Sequence, residues 1–257
     1  MCCQLIHVYG PISIHSYGVM IFLGLLLVFV LMLHDPMRKK IMNSEKLVNV
    51  IGFGLLSGLL GARILYLVCN WRSINTIWDI LALWDGGLSL MGAVVGILVG
   101  VPFYLRYNNI LVLPCLDIFA VYIPLLQAIS RIGCFLAGCC YGCPTKTSWG
   151  IYSRGLNSEC VNQLIHPVQL YSTGIQLLIF VFLFWFRKKL YTRPGQLISL
   201  YLILASLERF IIDFWRGDRE FFPQEMLGFF SIHQVIALII AGFSVTAFFV
   251  FSSTKNK

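Results

Sequence analysis

Charge is what this sequence has least of. Asp, Glu, Lys and Arg make up 12% of its 257 residues, while 58% are hydrophobic and mean hydropathy is +0.82. A soluble domain carries about 25% charged residues, so a water-soluble core wrapped in a charged surface is excluded. A zinc set is also missing. No second CxxC or paired histidine accompanies Cys140-x-x-Cys143, and no metal is expected. Nor is a cleavable signal peptide expected, because Met1-Cys2-Cys3-Gln4 lacks a basic segment and no small-residue cleavage site precedes the first apolar run.

What is present is a series of long apolar runs. Seven read as membrane spans: Tyr17 to Leu33, Leu47 to Val68, Gly86 to Arg106, a run from Ile110, His166 to Phe186, Gly195 to Trp215, and Gly228 to Phe251. The expected fold is all-α, a polytopic integral membrane protein with seven transmembrane helices in one domain, residues 1–257. Asn70 to Asp85, with Trp71, Trp78 and Trp84, reads as a short interfacial helix. Gly54-x-x-x-Gly58 with Gly61, and Gly92-x-x-x-Gly96-x-x-x-Gly100, have the small-residue spacing of close helix packing.

The net charge of +8 does not point to nucleic acid, since the basic residues sit in short loops between apolar runs, where topology and the lipid bilayer account for them. Arg38, Lys39, Lys40, Lys46, Arg106, Arg187 to Lys189, Arg193, Lys255 and Lys257 fall on one side. Arg72, Lys146, Arg154, Arg216 and Arg219 fall on the other. That eleven-to-five asymmetry places the N-terminus outside and the C-terminus in the cytoplasm.

Charges inside the runs carry the functional signal. Arg131 lies at the outer end of the fourth run, in Ser130-Arg131-Ile132-Gly133-Cys134-Phe135-Leu136-Ala137-Gly138-Cys139-Cys140-Tyr141-Gly142. An arginine there is costly unless it faces protein or water, although one snorkelling to headgroups has the same sequence. Arg63, Arg209, Asp117, Glu208 and Asp213 also lie within or at the edge of runs. Arg209, Asp213 and Arg216 are spaced i, i+4, i+7, which on one helix face presents plus, minus, plus. For Arg63 a packing network is the better reading. For Arg131 and Arg209 a phosphate site is, because two planar guanidiniums can each bind a phosphodiester bidentately. A buried anion clamp open to lipid implies a phospholipid. His166 beside Pro167 is either catalytic or a capping residue, and Tyr17 and Tyr171 sit where interfacial tyrosines are common.

Taken in order, the motifs are Tyr17-Gly18; Gly61-Ala62-Arg63; Trp84-Asp85-Gly86-Gly87-Leu88-Ser89 with Gly92; Asp117; Arg131-Ile132-Gly133 with Gly138 and Gly142; His166-Pro167-x-Gln169-Leu170-Tyr171; and Arg209-Phe210-x-x-Asp213-Phe214-x-Arg216. Over nearly the whole chain this resembles the bacterial prolipoprotein diacylglyceryl transferase family. The resemblance implies a multi-pass enzyme of the bacterial inner membrane that needs no cofactor. It would move the diacylglyceryl group of phosphatidylglycerol to the lipobox cysteine of a prolipoprotein signal peptide and release glycerol phosphate. The residues it assigns are Tyr17, Arg131 and Arg209 as catalytic; Arg131, Gly142, Arg209 and Arg216 as lipid-binding; and Asp117, Asp213, His166 and Gln169 as supporting.

The chain departs from the family at Met91, Cys134, Cys139 and Ala205, positions that are usually polar. Two other readings therefore stay open: a phosphatidylglycerol-dependent transferase with another acceptor, and a lipid-binding or transport protein without the chemistry. Cys134, Cys139, Cys140 and Cys143 form a cluster expected to be structural or redox-sensitive, with a bond from Cys139 or Cys140 to Cys143 as one form. A nucleophilic role is rejected, since the intermediate would be a thioether and an alkyl thiolate leaves poorly from unactivated carbon.

Overall fold

Seven long helices account for most of the chain in the computed structural model, which describes residues 4–9, 12–71, 87–152, 163–190, 193–217, 219 and 230–253. Strands β1 (Gln4–Tyr9) and β2 (Ile12–His15) come first. Then follow α1 (Ser16–His34), a short α2 (Pro36–Ile41), α3 (Ser44–Cys69), α4 (Leu90–Tyr107), α5 (Val112–Ala137), α6 (Val168–Leu190), α7 (Gln196–Asp213) and α8 (Ile232–Ser253). Strands β3 (Ile151–Tyr152) and β4 (Leu164–Ile165) pair antiparallel between α5 and α6. Each expected span has its helix. Six are long and apolar enough to cross a membrane. The seventh, α7, carries Glu208, Arg209 and Asp213 instead. The interfacial helix expected up to Asp85 lies, from residue 72 onward, outside the described residues.

Two compact units divide the chain. One holds residues 8–12 and 33–115, the other residues 1–7, 13–32 and 116–257. In the first, α3 and α4 are in backbone contact. A Cβ on Gly92 would stand 2.3 Å from the Gly61 carbonyl oxygen, and one on Gly96 2.3 Å from that of Ser57. Glycine is required at both because backbone occupies the space. Ser57 and Gly61 line this seam on the α3 side, whereas the nearest atoms to a Cβ on Gly54 or Gly58 belong to side chains, Val101 and Ile97. The spacing found the surface and missed its exact register. Ser89 caps α4 by accepting from the Gly92 N–H at 3.3 Å, and its own N–H donates to the Ala62 carbonyl at 3.1 Å.

Arg63 is a packing residue, as expected. Its Nη1 donates to the Gly87 carbonyl at 3.0 Å and its guanidinium lies 5.5 Å from the Tyr66 ring centroid. Arg38, counted above among the loop cations, is almost fully buried. It donates to the carbonyls of Leu33 and Met42 and to Ser44 Oγ, closing the ends of α1 and α2.

In the second unit Asp117 is wholly buried at the start of α7. Its carboxylate accepts from the backbone N–H of Gly195 at 2.6 Å and of Ile198 at 2.8 Å. A negative charge there also meets the positive end of the α7 dipole. Arg187, another counted loop cation, is buried too. It donates to the Tyr122 hydroxyl at 3.1 Å and lies 4.1 Å from the Phe184 ring centroid.

Gly92→Leu or Gly96→Leu is expected to destabilise the protein by about 3 kcal/mol or more, because neither helix can move aside without losing the seam. Gly52, which has nothing within 4 Å of its missing Cβ, should accept alanine within about 0.5 kcal/mol of the parent. Thermal unfolding in detergent of the three variants checks both.

Candidate active site

Arg131 enters the site from the last two turns of α5. That helix ends in a six-residue turn in which Gly138 N–H donates to Phe135 O and Cys139 N–H to Cys134 O, both at 3.2 Å. Gly138, at φ 75°, takes the left-handed position such a cap needs. Cys140 follows at φ 55°, a conformation non-glycine residues rarely adopt, so the surrounding structure must hold it there. Gln169, buried near the start of α6, does part of this by donating from Nε2 to the Cys139 carbonyl at 2.7 Å.

Beyond Cys140 the chain becomes the middle strand of a small junction. Gly142 bridges antiparallel to Arg216, with Cys143 N–H donating to Trp215 O at 2.8 Å and Gly217 N–H to Tyr141 O at 3.0 Å. On its other side, His166 N–H donates to Cys143 O at 3.0 Å. A Cβ on Gly142 would lie 2.4 Å from the His166 carbonyl oxygen, so only glycine fits between the two neighbours.

This junction changes the reading of Arg216. The i, i+4, i+7 spacing puts Arg209, Asp213 and Arg216 on one helix face, but α7 ends at Asp213. Phe214, Trp215 and Arg216 are held by tighter bonds to the carbonyls three residues back, and Arg216 then leaves the helix to pair with Gly142. A small cleft is lined by Arg131, Cys140, Val168, Gln169, Ser172, Ile212 and Arg216. Arg209, one helix turn before Asp213, is within electrostatic reach of both Arg131 and Arg216. Three guanidiniums thus share one neighbourhood at the ends of α5 and α7.

The acids are engaged in fixing that neighbourhood. Asp213 accepts from Ser231 Oγ at 2.5 Å and pairs with Arg219 Nε at 3.3 Å, which ties the end of α7 to the start of α8. Glu208 accepts from Ser172 Oγ, linking α7 to the cleft wall on α6. Asp117 is not brought to the cleft. It lies 14 residues before Arg131 on the same helix, about 21 Å at 1.5 Å per residue. Its support acts through α7, whose first turn it holds.

Tyr17, at the start of α1, packs on α5: a Cβ on Gly133 would lie 3.3 Å from Tyr17 Cδ2 and 3.0 Å from Met20 Cβ. His166 Nδ1 is 3.2 Å from the Tyr171 hydroxyl, which also accepts from Trp149 Nε1 at 2.9 Å. Since an indole can only donate, the tyrosine proton is available for the imidazole.

Cys140 and Ser172 line the cleft although neither was singled out as a site residue. Ser172 lies three positions after Gln169, and helical spacing alone could have found it. Cys140 could not be found that way, because a turn rather than a helix places it. Cys143 does not join the other thiols. Its Sγ donates to the Arg216 carbonyl at 3.0 Å, while Cys134, Cys139 and Cys140 bring their sulfurs within 4.8 Å of one another, and all four are free thiols. Hydrogen bonds from the Cys134 and Cys139 thiols, aided by the Arg216 and Arg131 charges, pull the Cys140 thiol far below its ordinary value. Cys139 is pushed the other way by its two sulfur neighbours and keeps its proton.

Helices of this length and apolarity, with guanidiniums gathered at one cleft, define a multi-pass membrane protein with a cleft that carries positive charge. The family follows from comparison with known proteins. The model for the prolipoprotein diacylglyceryl transferase family matches residues 4–250, and the chain belongs to that family. It is 35% identical over 236 residues to a phosphatidylglycerol–prolipoprotein diacylglyceryl transferase of Clostridium tetani, covering 91% of this chain and 92% of the relative. It is 31% identical to the transferase 2 of Clostridium perfringens, covering 89% and 88%, and 28% identical to the Thermotoga maritima enzyme, covering 96% and 84%. A multi-pass protein of the bacterial inner membrane is the corresponding assignment.

Gly142→Ala is expected to open the junction. Hydrogen–deuterium exchange should speed up in the segments containing residues 141–143 and 215–217, by about tenfold or more if one backbone pair is lost at about 1.4 kcal/mol. Gly174→Ala, with open space at its missing Cβ, serves as the control and should leave both segments unchanged.

Proposed function

We propose that this chain is a phosphatidylglycerol–prolipoprotein diacylglyceryl transferase whose whole length works as one membrane-embedded domain. The observation that carries the reading is the cleft lined by Arg131 and Arg216, with Arg209 beside it, in a member of this family. The phosphate of phosphatidylglycerol occupies the cleft and the acyl chains stay in the bilayer. The acceptor is the lipobox cysteine of a prolipoprotein signal peptide. Its sulfur attacks the glycerol carbon that carries the phosphate ester. The S–C bond forms as the C–O bond breaks, the electron pair leaves on glycerol phosphate, and the thiol's proton ends on that released phosphate. Negative charge grows on the leaving phosphate, so guanidiniums held there lower the barrier. Tyr17, packed against the Arg131 helix, and Gly142, in the junction, keep the cleft in shape. Asp213, His166 and Gln169 support the segments that carry it.

The N-terminus faces outward and the C-terminus the cytoplasm, as supported by the eleven-to-five bias in loop cations. A C-terminal reporter should therefore be active only in the cytoplasm, and activity on the outer side would reverse the orientation.

Arg131→Lys, Arg209→Lys and Arg216→Lys should each lower turnover by about 100-fold or more, because lysine keeps the charge and loses the planar fork. Thermal unfolding distinguishes lost chemistry from lost fold. The deciding assay gives purified protein labelled phosphatidylglycerol and a lipobox peptide, and follows both peptide labelling and glycerol phosphate release. Both are expected together. Release without peptide labelling would move the acceptor elsewhere, the reading that Met91, Cys134, Cys139 and Ala205 keep in view. Lipid binding with neither product would overturn the enzymatic reading.

A further inference from the structure

Three cysteines converge beside the cleft, and the proposed transfer uses none of them. Cys134 is buried in the last turn of α5, Cys140 is half-buried, and Cys139 is exposed. Their sulfurs all lie within 4.8 Å of one another. A metal–thiolate bond of about 2.3 Å, the zinc value, sets three sulfurs about 4 Å apart in a trigonal plane. With every separation inside 4.8 Å, the cluster needs at most a small contraction to reach that spacing. The backbone is already committed to it: the glycine-capped end of α5, the left-handed Cys140 and the Gln169 bond to Cys139 hold all three positions.

We propose that Cys134, Cys139 and Cys140 bind monovalent copper, and that the loaded site competes with phosphate for Arg131 and Arg216. Thiolates are soft ligands and select soft ions. Structural zinc takes four ligands, but among the described residues this group has three members, which favours an ion content with trigonal coordination. Three thiolates around one monovalent cation leave a net negative charge. Arg131 and Arg216 line the same cleft as Cys140. The loaded cluster is in effect a resident anion at the phosphate site. Exposed Cys139 provides the way in. Binding exchanges S–H protons for the ion and involves no change of oxidation state.

The inhibitory half rests on the transferase reading, and the binding half does not. Purified full-length protein in detergent would be titrated anaerobically with a monovalent copper–acetonitrile complex against a chromogenic copper chelator. One tightly held ion per chain is expected, with three sulfur neighbours by X-ray absorption. A variant with the other six cysteines changed to serine should keep it. Cys134→Ser, Cys139→Ser or Cys140→Ser should each weaken it by about 100-fold or more. Copper held equally well without any one of the three, or lost when only the other six are removed from a protein with an unaltered thermal transition, overturns the site. So does a disulfide within the cluster that persists under the same reducing conditions. In the transfer assay, one equivalent of copper should suppress phosphatidylglycerol turnover, and excess chelator should restore it. Full turnover with the ion bound overturns the competition. An absence of turnover with and without copper would count against the transferase reading and leave the binding result standing.

Discussion

Backbone pairing at Tyr141 to Cys143 is the constraint on which the site depends. One side of this short stretch is bonded to Trp215 and Gly217, the other to His166. Near a bilayer, backbone N–H and C=O groups that leave a helix must find partners within the protein. Here the end of α5, the entry to α6 and the exit of α7 satisfy one another. Arg216 is delivered to the cleft as a consequence, and Gly142 is glycine because backbone lies against the place its side chain would take.

The arginines divide into two kinds by what surrounds them. Arg38 and Arg63 reach backbone carbonyls, and Arg187 reaches a tyrosine hydroxyl beside an aromatic face. Such cations close helix ends or fasten helix pairs. Arg131, Arg209 and Arg216 gather near one another, with Asp213 and Glu208 also within electrostatic reach of Arg209. The acids follow the same logic. Asp117 is held at a helix N-terminus, Glu208 takes a serine hydroxyl, and Asp213 takes Ser231 and Arg219. Their positions fix the walls and leave the cleft itself cationic.

Elements were legible where the signal is local and long. Each of the seven apolar runs became a helix, with ends within a few residues of expectation where both are described, and for six of them hydropathy and length suffice. Glycine spacing located the α3–α4 seam, yet Ser57 took a place there that Gly58 was expected to hold, since any small side chain permits the approach. The short strands, α2 and the burial of Arg38 and Arg187 were not legible. A two-residue strand has no periodicity, and a cation before or after a span looks the same whether it meets water or a carbonyl.

The amino-acid sequence by itself determined a membrane-embedded all-α protein, the glycine surfaces between two of its helices, and the presence of arginines that lipid would not tolerate unaided. These follow from composition and from spacing within single helices. Tertiary structure decided which charges meet. It carried Arg216 out of the helical face shared with Arg209 and Asp213, joined Asp117 to the first turn of α7, and gathered Cys134 with Cys139 and Cys140 while Cys143 went to the Arg216 carbonyl. Each of those outcomes depends on pairing between segments distant in the chain or on a left-handed turn, and neither is written in the spacing of side chains along a helix.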